Sequence, residues 1–159
     1  VIDRHDAAPF SRPPGAPEDP YEYKPTRNDK DPYNFVNGLT HLHWRCIQQI
    51  WWDGDREQHK RLRFELRRPE TLKQINIWNN TSYSTIKDID IVFDRDTAKA
   101  VSVTLPNSKT LTEVKLDQPR TVEKTVDIIL KTRYVGERNP KLVGIDNVQF
   151  IRADRKSVV

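Results

Sequence analysis

From about Phe35 onward the apolar residues recur at every second position in short runs, and no other feature limits the fold of this chain so tightly. In Arg61-Leu62-Arg63-Phe64-Glu65-Leu66, the residues Leu62, Phe64 and Leu66 share one face of an extended strand, because successive side chains point to opposite faces. Thr71 to Trp78 places Leu72, Ile75 and Ile77 in similar positions after the turn Arg68-Pro69-Glu70, and these two runs are expected to be adjacent core strands. Ile89, Ile91 and Phe93 continue the alternation, then Val101, Val103 and Leu105 ahead of the turn Pro106-Asn107. Three further runs follow, and the middle one is long enough to be the spine of a sheet with Val126, Ile128 and Leu130 inward. No stretch keeps helical periodicity over three turns, so helix is expected to be nearly absent. About seven or eight such strands with polar connections make an all-β, two-sheet antiparallel sandwich, with a closed barrel as the alternative. No repeat of fixed period points to a propeller or solenoid.

The first 34 residues differ. Pro9, Pro13, Pro14, Pro17, Pro20, Pro25 and Pro32 fall there, most of the chain's 11 prolines, with no sustained apolar period. Residues 1–34 read as an extended leader or linker that lies along the domain or tethers a neighbour, and 35–159 as the binding domain. With no methionine at any position, the chain reads as a module cut from something longer. No apolar run reaches the roughly 18 to 20 residues that span a bilayer, and the N-terminus lacks a signal pattern. Cys46 is the only cysteine, so packing without an internal disulfide must hold the fold, and its apolar neighbourhood favours an inert buried thiol.

The 27 basic residues exceed the 23 acidic ones by a modest +4 and are spread among them, which argues against nucleic acid. Lys60, Arg61, Arg63, Arg67 and Arg68 form one local concentration that leaves an acidic polysaccharide or anionic surface open, although alternation makes most of them a solvated strand face. Five glycines supply no dinucleotide fingerprint, phosphate loop or nucleophile elbow. Carboxylate pairs such as Asp53 with Asp55 or Asp88 with Asp90 exist, but a glycosidase needs two across a cleft in unlike environments, which spacing does not establish. His41 and His43, with Cys46 or His59, include zinc-ligand types, yet no CxxC or HExxH accompanies them, which favours polar side chains at a binding face. The expectation is a domain without catalysis.

Two clusters carry recognition chemistry. Residues 41–60 gather Trp44, Trp51 and Trp52 among His41, His43, Arg45, Gln48, Gln49, Asp53, Asp55 and His59. An aromatic face stacks on the apolar C–H side of a pyranose while Arg, Asp and His hydrogen-bond its hydroxyls. A sandwich also needs large core residues, so at least one of the three tryptophans is expected to be buried. The second cluster, Trp78-Asn79-Asn80-Thr81-Ser82-Tyr83-Ser84, is a polar loop with hydrogen-bonding groups, and an ordinary turn explains it as well as a ligand loop does.

The order of these features resembles the discoidin-like, coagulation-factor C-type family, which includes the family 32 carbohydrate-binding modules. Asn37-Gly38 with Trp44, Arg61 to Leu66, Pro69 to Asn79, Lys87-Asp88-Ile89-Asp90-Ile91 and Val143-Gly144-Ile145-Asp146-Asn147-Val148-Gln149-Phe150 are similar to its motifs in that order. The resemblance covers about Asn34 to Arg152 and implies a galactose-binding-like jelly roll. It implies a glycan or polysaccharide ligand, covalently linked neighbouring domains and an extracellular or cell-surface setting. Its alternative is a protein partner or phospholipid surface docked through Trp51-Trp52, with exposed tryptophans and salt-sensitive vesicle binding as the signature. The expected ligand face is His41, His43, Arg45, Trp51, Trp52, Asp53, Asn79, Asn80 and Tyr83. A structural calcium, common in the family, would draw oxygen from Asn37 and Asp146, although the family's glutamate and terminal disulfide are missing here.

Overall fold

A computed structural model describes residues 7–9, 48–51, 60–79, 81, 84–136 and 142–153. Their elements are β1 (Ala7–Pro9), β2 (Gln48–Trp51), β3 (Lys60–Leu66), β4 (Glu70–Asn79), β5 (Thr85–Ile86), β6 (Asp88–Phe93), β7 (Val101–Thr104), β8 (Leu111–Val122), β9 (Thr125–Leu130), β10 (Arg133–Tyr134) and β11 (Leu142–Arg152). The one helical piece among them is a 3-10 turn at Thr97–Lys99. One sheet has the order β1-β3-β9-β6-β7, the other β2-β11-β4-β8, and β10 pairs with β5. Every pairing between these described strands is antiparallel, the arrangement in which alternating sequence commonly buries one face of a sheet.

The period-two faces meet in one core. Leu62, Phe64, Leu66, Ile89, Ile91, Phe93, Val126, Ile128 and Leu130 come from the five-stranded sheet, and Leu72, Ile75, Ile77, Val148 and Phe150 from the four-stranded one. All are at most 5% exposed, and each such side chain contributes about 1.5 to 3 kcal/mol when withdrawn from water. The spine expected around Val126 is β9, central in its sheet, but it stops at Leu130 and the chain resumes as the separate strand β10.

The expected neighbourhood of β3 and β4 is not found. β3 pairs with β1 and β9, and β4 with β11 and β8, so the two strands belong to opposite sheets. Between them, residues 67–69 turn a corner of the sandwich, with Pro69 unable to donate to any ladder. A second irregularity explains why Leu72 and Ile75 are both buried despite their odd spacing. Against β11 the register passes from Gln74↔Ile151 to Leu72↔Arg152, a bulge at Lys73 that resets the parity of β4.

Side chains fasten the corners. Arg63 donates to both carboxylate oxygens of Asp127, Nε to Oδ1 at 2.7 Å and Nη2 to Oδ2 at 2.8 Å, joining β3 to β9 on the outer face. Glu70 at the start of β4 accepts from Arg152 at the end of β11 (2.8 and 3.0 Å) and from Arg68 at 3.1 Å. Asp94 and Arg95 both have left-handed φ, 50° and 62°, in the turn that follows β6. From there the Asp94 carboxylate accepts the backbone N–H groups of Glu123, Lys124 and Thr125, which form the turn between β8 and β9. Burial pushes this carboxyl up, but the three N–H donors outweigh it and hold the group below the usual range.

β1 lies within the Pro-rich leader and pairs in register with β3, Ala7 opposite Leu66 and Pro9 opposite Phe64. At another edge, β8 carries Lys115, Asp117 and Pro119, residues that discourage pairing with a further chain.

Candidate functional site

Register brings together what the sequence keeps apart. β2 and β4 both run antiparallel to β11, which lies between them, so their C-terminal residues emerge at the same end of the sheet. Trp51 sits opposite Leu142, and Asn79 opposite Ile145. Three residues along β11 and two strand spacings across separate Trp51 from Asn79, roughly 14 Å between their Cα atoms. One residue of each recognition cluster, Trp51 and Asn79, is therefore set at the same end of the sandwich.

That end has a buried polar floor. Asn79 is 1% exposed and its Nδ2 donates to the carbonyl of Ile86 at 2.8 Å, tying β4 to β5. Ser84 is fully buried, forms a bridge with Val143 and accepts the Gly136 N–H on its Oγ at 3.0 Å. Lys87 N–H donates to the Thr132 carbonyl and its ammonium stands 5.4 Å from the Tyr134 ring centroid, while the Tyr134 hydroxyl donates to the Leu105 carbonyl. The register of β11 against β4 shifts between Ile145 and Asn147, making Asp146 the extra residue of a bulge at the same end. Asp146 is 2% exposed, a buried carboxylate beside the candidate site.

Of the expected ligand residues, Trp51 is placed by its backbone and Asn79 by its backbone and amide. His41, His43, Arg45, Trp52, Asp53, Asn80 and Tyr83 lie outside the described residues, as do Asn37 of the expected calcium pair and Cys46. Among the described residues no group of three or more His, Cys, Asp or Glu is arranged to hold a metal ion.

The carboxylates Asp88 and Asp90 do not face each other across a cleft. They stand side by side on the outer face of β6, in a groove of about 310 Å³ also lined by Ser102, Thr104, Lys131 and Thr132. Thr132 and Thr104 donate to Asp88 and hold its carboxyl below the usual range, the opposite of what a general acid needs. Sequence reading missed this groove. Its signal was the Asp-x-Asp of β6 matched by the Ser-x-Thr of β7, which the register sets opposite each other.

No protein-family description matches the sequence, and no characterised protein matches it in sequence. Solved structures do match the fold. The third family 32 carbohydrate-binding module of a family 31 glycoside hydrolase from Clostridium perfringens superposes with a TM-score of 0.68 at 10% identity, over 96% of this chain and 94% of that one. The family 32 module of EndoD from Streptococcus pneumoniae gives 0.60 at 14% identity, over 82% and 91%. The family 32 module of C. perfringens NanJ, in complex with galactose, gives 0.55 at 16% identity, over 74% and 82%. At such identities the likeness is one of fold, and that fold is the galactose-binding-like sandwich of the family 32 carbohydrate-binding modules.

Proposed function

We propose that this chain is a sugar-binding module with no reaction of its own, and that it takes its ligand at the sandwich end where β2 and β4 terminate. The observation that carries the proposal is the register of β11, which sets Trp51 and Asn79 at one end of a fold used by carbohydrate-binding modules. Trp51, Trp52 and Tyr83 supply the stacking surfaces, and His41, His43, Arg45, Asp53 and Asn80 the polar contacts. Asn79 is buried and works from beneath, fixing the backbone from which the polar segment departs. Asp146 is an oxygen donor of the type calcium takes, and with Asn37 it would hold a structural ion under the site. In a larger extracellular or surface protein, such a module raises the effective concentration of a neighbouring domain at its polysaccharide.

A glycan and polysaccharide array, run with and without calcium and at two salt concentrations, tests this reading. A specific hit weakened about tenfold or more by Trp52→Ala or Trp51→Ala supports it, since aromatic anchors commonly contribute over 1 kcal/mol. Silence across the array, with salt-sensitive binding to anionic vesicles instead, transfers the site to a phospholipid surface.

A further inference from the structure

The groove on the outer face of the five-stranded sheet has a hydrogen-bonding polarity that selects its occupant. Asp88 pairs across the strands with Thr104 and Asp90 with Ser102, so four polar side chains share one face. The Thr104 hydroxyl donates to Asp88 Oδ1, Thr132 to Asp88 Oδ2 and Ser102 to Asp90 Oδ1, each at 2.7 Å. Thr132 Oγ1 also accepts the Asp88 N–H at 3.1 Å. Every hydroxyl proton in the groove is thus spent on a carboxylate, which leaves oxygen lone pairs facing outward. Beyond those three hydroxyls, the Lys131 ammonium, 3.5 Å from Asp90 Oδ2, is the remaining side-chain donor among the described lining residues, whose formal charge is −1.

We propose that this groove is a second saccharide subsite, selective for a sugar with a free amino group such as a glucosamine unit. An ammonium and its neighbouring hydroxyls bring the protons the lining lacks and the charge it favours, whereas an N-acetyl group brings a carbonyl acceptor and no charge. The volume of about 310 Å³ lies at the low end for small-molecule sites, which suits one sugar ring. Its position suits the same polymer that the sandwich end would take. Thr132 in the groove and Gly136 at that end are four residues apart, so at most about 14 Å of chain separates them. The inference rests on the proposed sugar-binding function for its choice of a saccharide over other amines.

Residue-resolved amide NMR during titration with glucosamine oligomers tests it, with N-acetylglucosamine oligomers and spermidine as separate titrants. Glucosamine oligomers are expected to shift the amides of Asp88 to Asp90, Ser102 to Thr104 and Lys131. Asp90→Asn should weaken that binding about tenfold, as loss of a charge-assisted contact does. Lys131→Gln should strengthen it, because a like charge leaves, and this gain separates the proposal from loss of fold. Equal shifts from the N-acetylated oligomer, equal binding of spermidine, weaker binding in Lys131→Gln, or no shift at these amides would each overturn it. Trp52→Ala leaves the groove shifts in place, so failure at the sandwich end and failure in the groove are read separately.

Discussion

Phe64 of β3 and Phe150 of β11 meet edge to face across the interior, ring centroids 5.3 Å apart and planes inclined at 70°. The pair connects a strand near one side of the five-stranded sheet with an inner strand of the other, so it fastens layer to layer where backbone hydrogen bonds do not reach. Phe150→Ala is expected to cost about 3 to 5 kcal/mol in urea unfolding, and Phe150→Leu clearly less, because the residual cavity sets much of the penalty.

The Arg63–Asp127 pair makes a sharper demand. Asp127 is 3% exposed, so Arg63→Ala strands a buried carboxylate and should destabilise the domain by about 3 kcal/mol. The double variant Arg63→Met, Asp127→Leu should recover most of that loss, since apolar replacement of both partners removes the desolvation problem. A double-mutant cycle by chemical denaturation checks this.

Acid should unfasten Glu70. The hydrogen bonds from Arg152 hold its carboxyl below the ordinary range, against burial and with help from Arg68. A carboxyl held low in the folded state contributes stability that is complete above its unfolded value, about 4.3, and is lost as pH falls through the folded value. Unfolding midpoints measured from pH 6 down to pH 3 should therefore fall more steeply for the wild type than for Glu70→Gln. At pH 6 that variant should be weaker by about 1 to 2 kcal/mol, discounted because Arg152 is partly exposed.

Asp94→Ala removes the acceptor of three N–H groups and leaves alanine at a φ of 50°. The expected signature is local: faster hydrogen exchange at the amides of Glu123, Lys124 and Thr125. Asp94→Asn should slow the exchange back towards the wild type, because asparagine keeps an acceptor oxygen and tolerates the left-handed region.

Much of this fold is legible in the sequence where one strand face is buried. Leu62, Phe64 and Leu66, or Ile89, Ile91 and Phe93, announce both their strand and its inward side. Pairing is less legible. Residues 67–69 read equally well as a hairpin or as a sandwich corner, because local turn chemistry does not say which sheet the next strand joins. β1 carries no apolar alternation to announce it, and its pairing with β3 comes from the backbone. Trp51 and Asn79 each stand out in the sequence as members of a polar, aromatic stretch, yet their common end depends on β11, a strand distant from both in sequence. The Asp88–Asp90 groove was hidden for a related reason: an alternating acidic face reads as solvated until the register supplies the hydroxyls opposite it.

The place of β11 between β2 and β4 also governs how the domain comes together in time. Its pairings join residues far apart in sequence, as the Glu70–Arg152 contact across 82 positions illustrates, and Arg63–Asp127 spans 64 in the other sheet. Folding dominated by such long closures falls in the millisecond-to-second class, with little gained from local structure on the way. Until the Leu142–Arg152 segment docks, β2 and β4 have no ladder between them, so the end that carries Trp51 and Asn79 is assembled by the same event that completes the sheet.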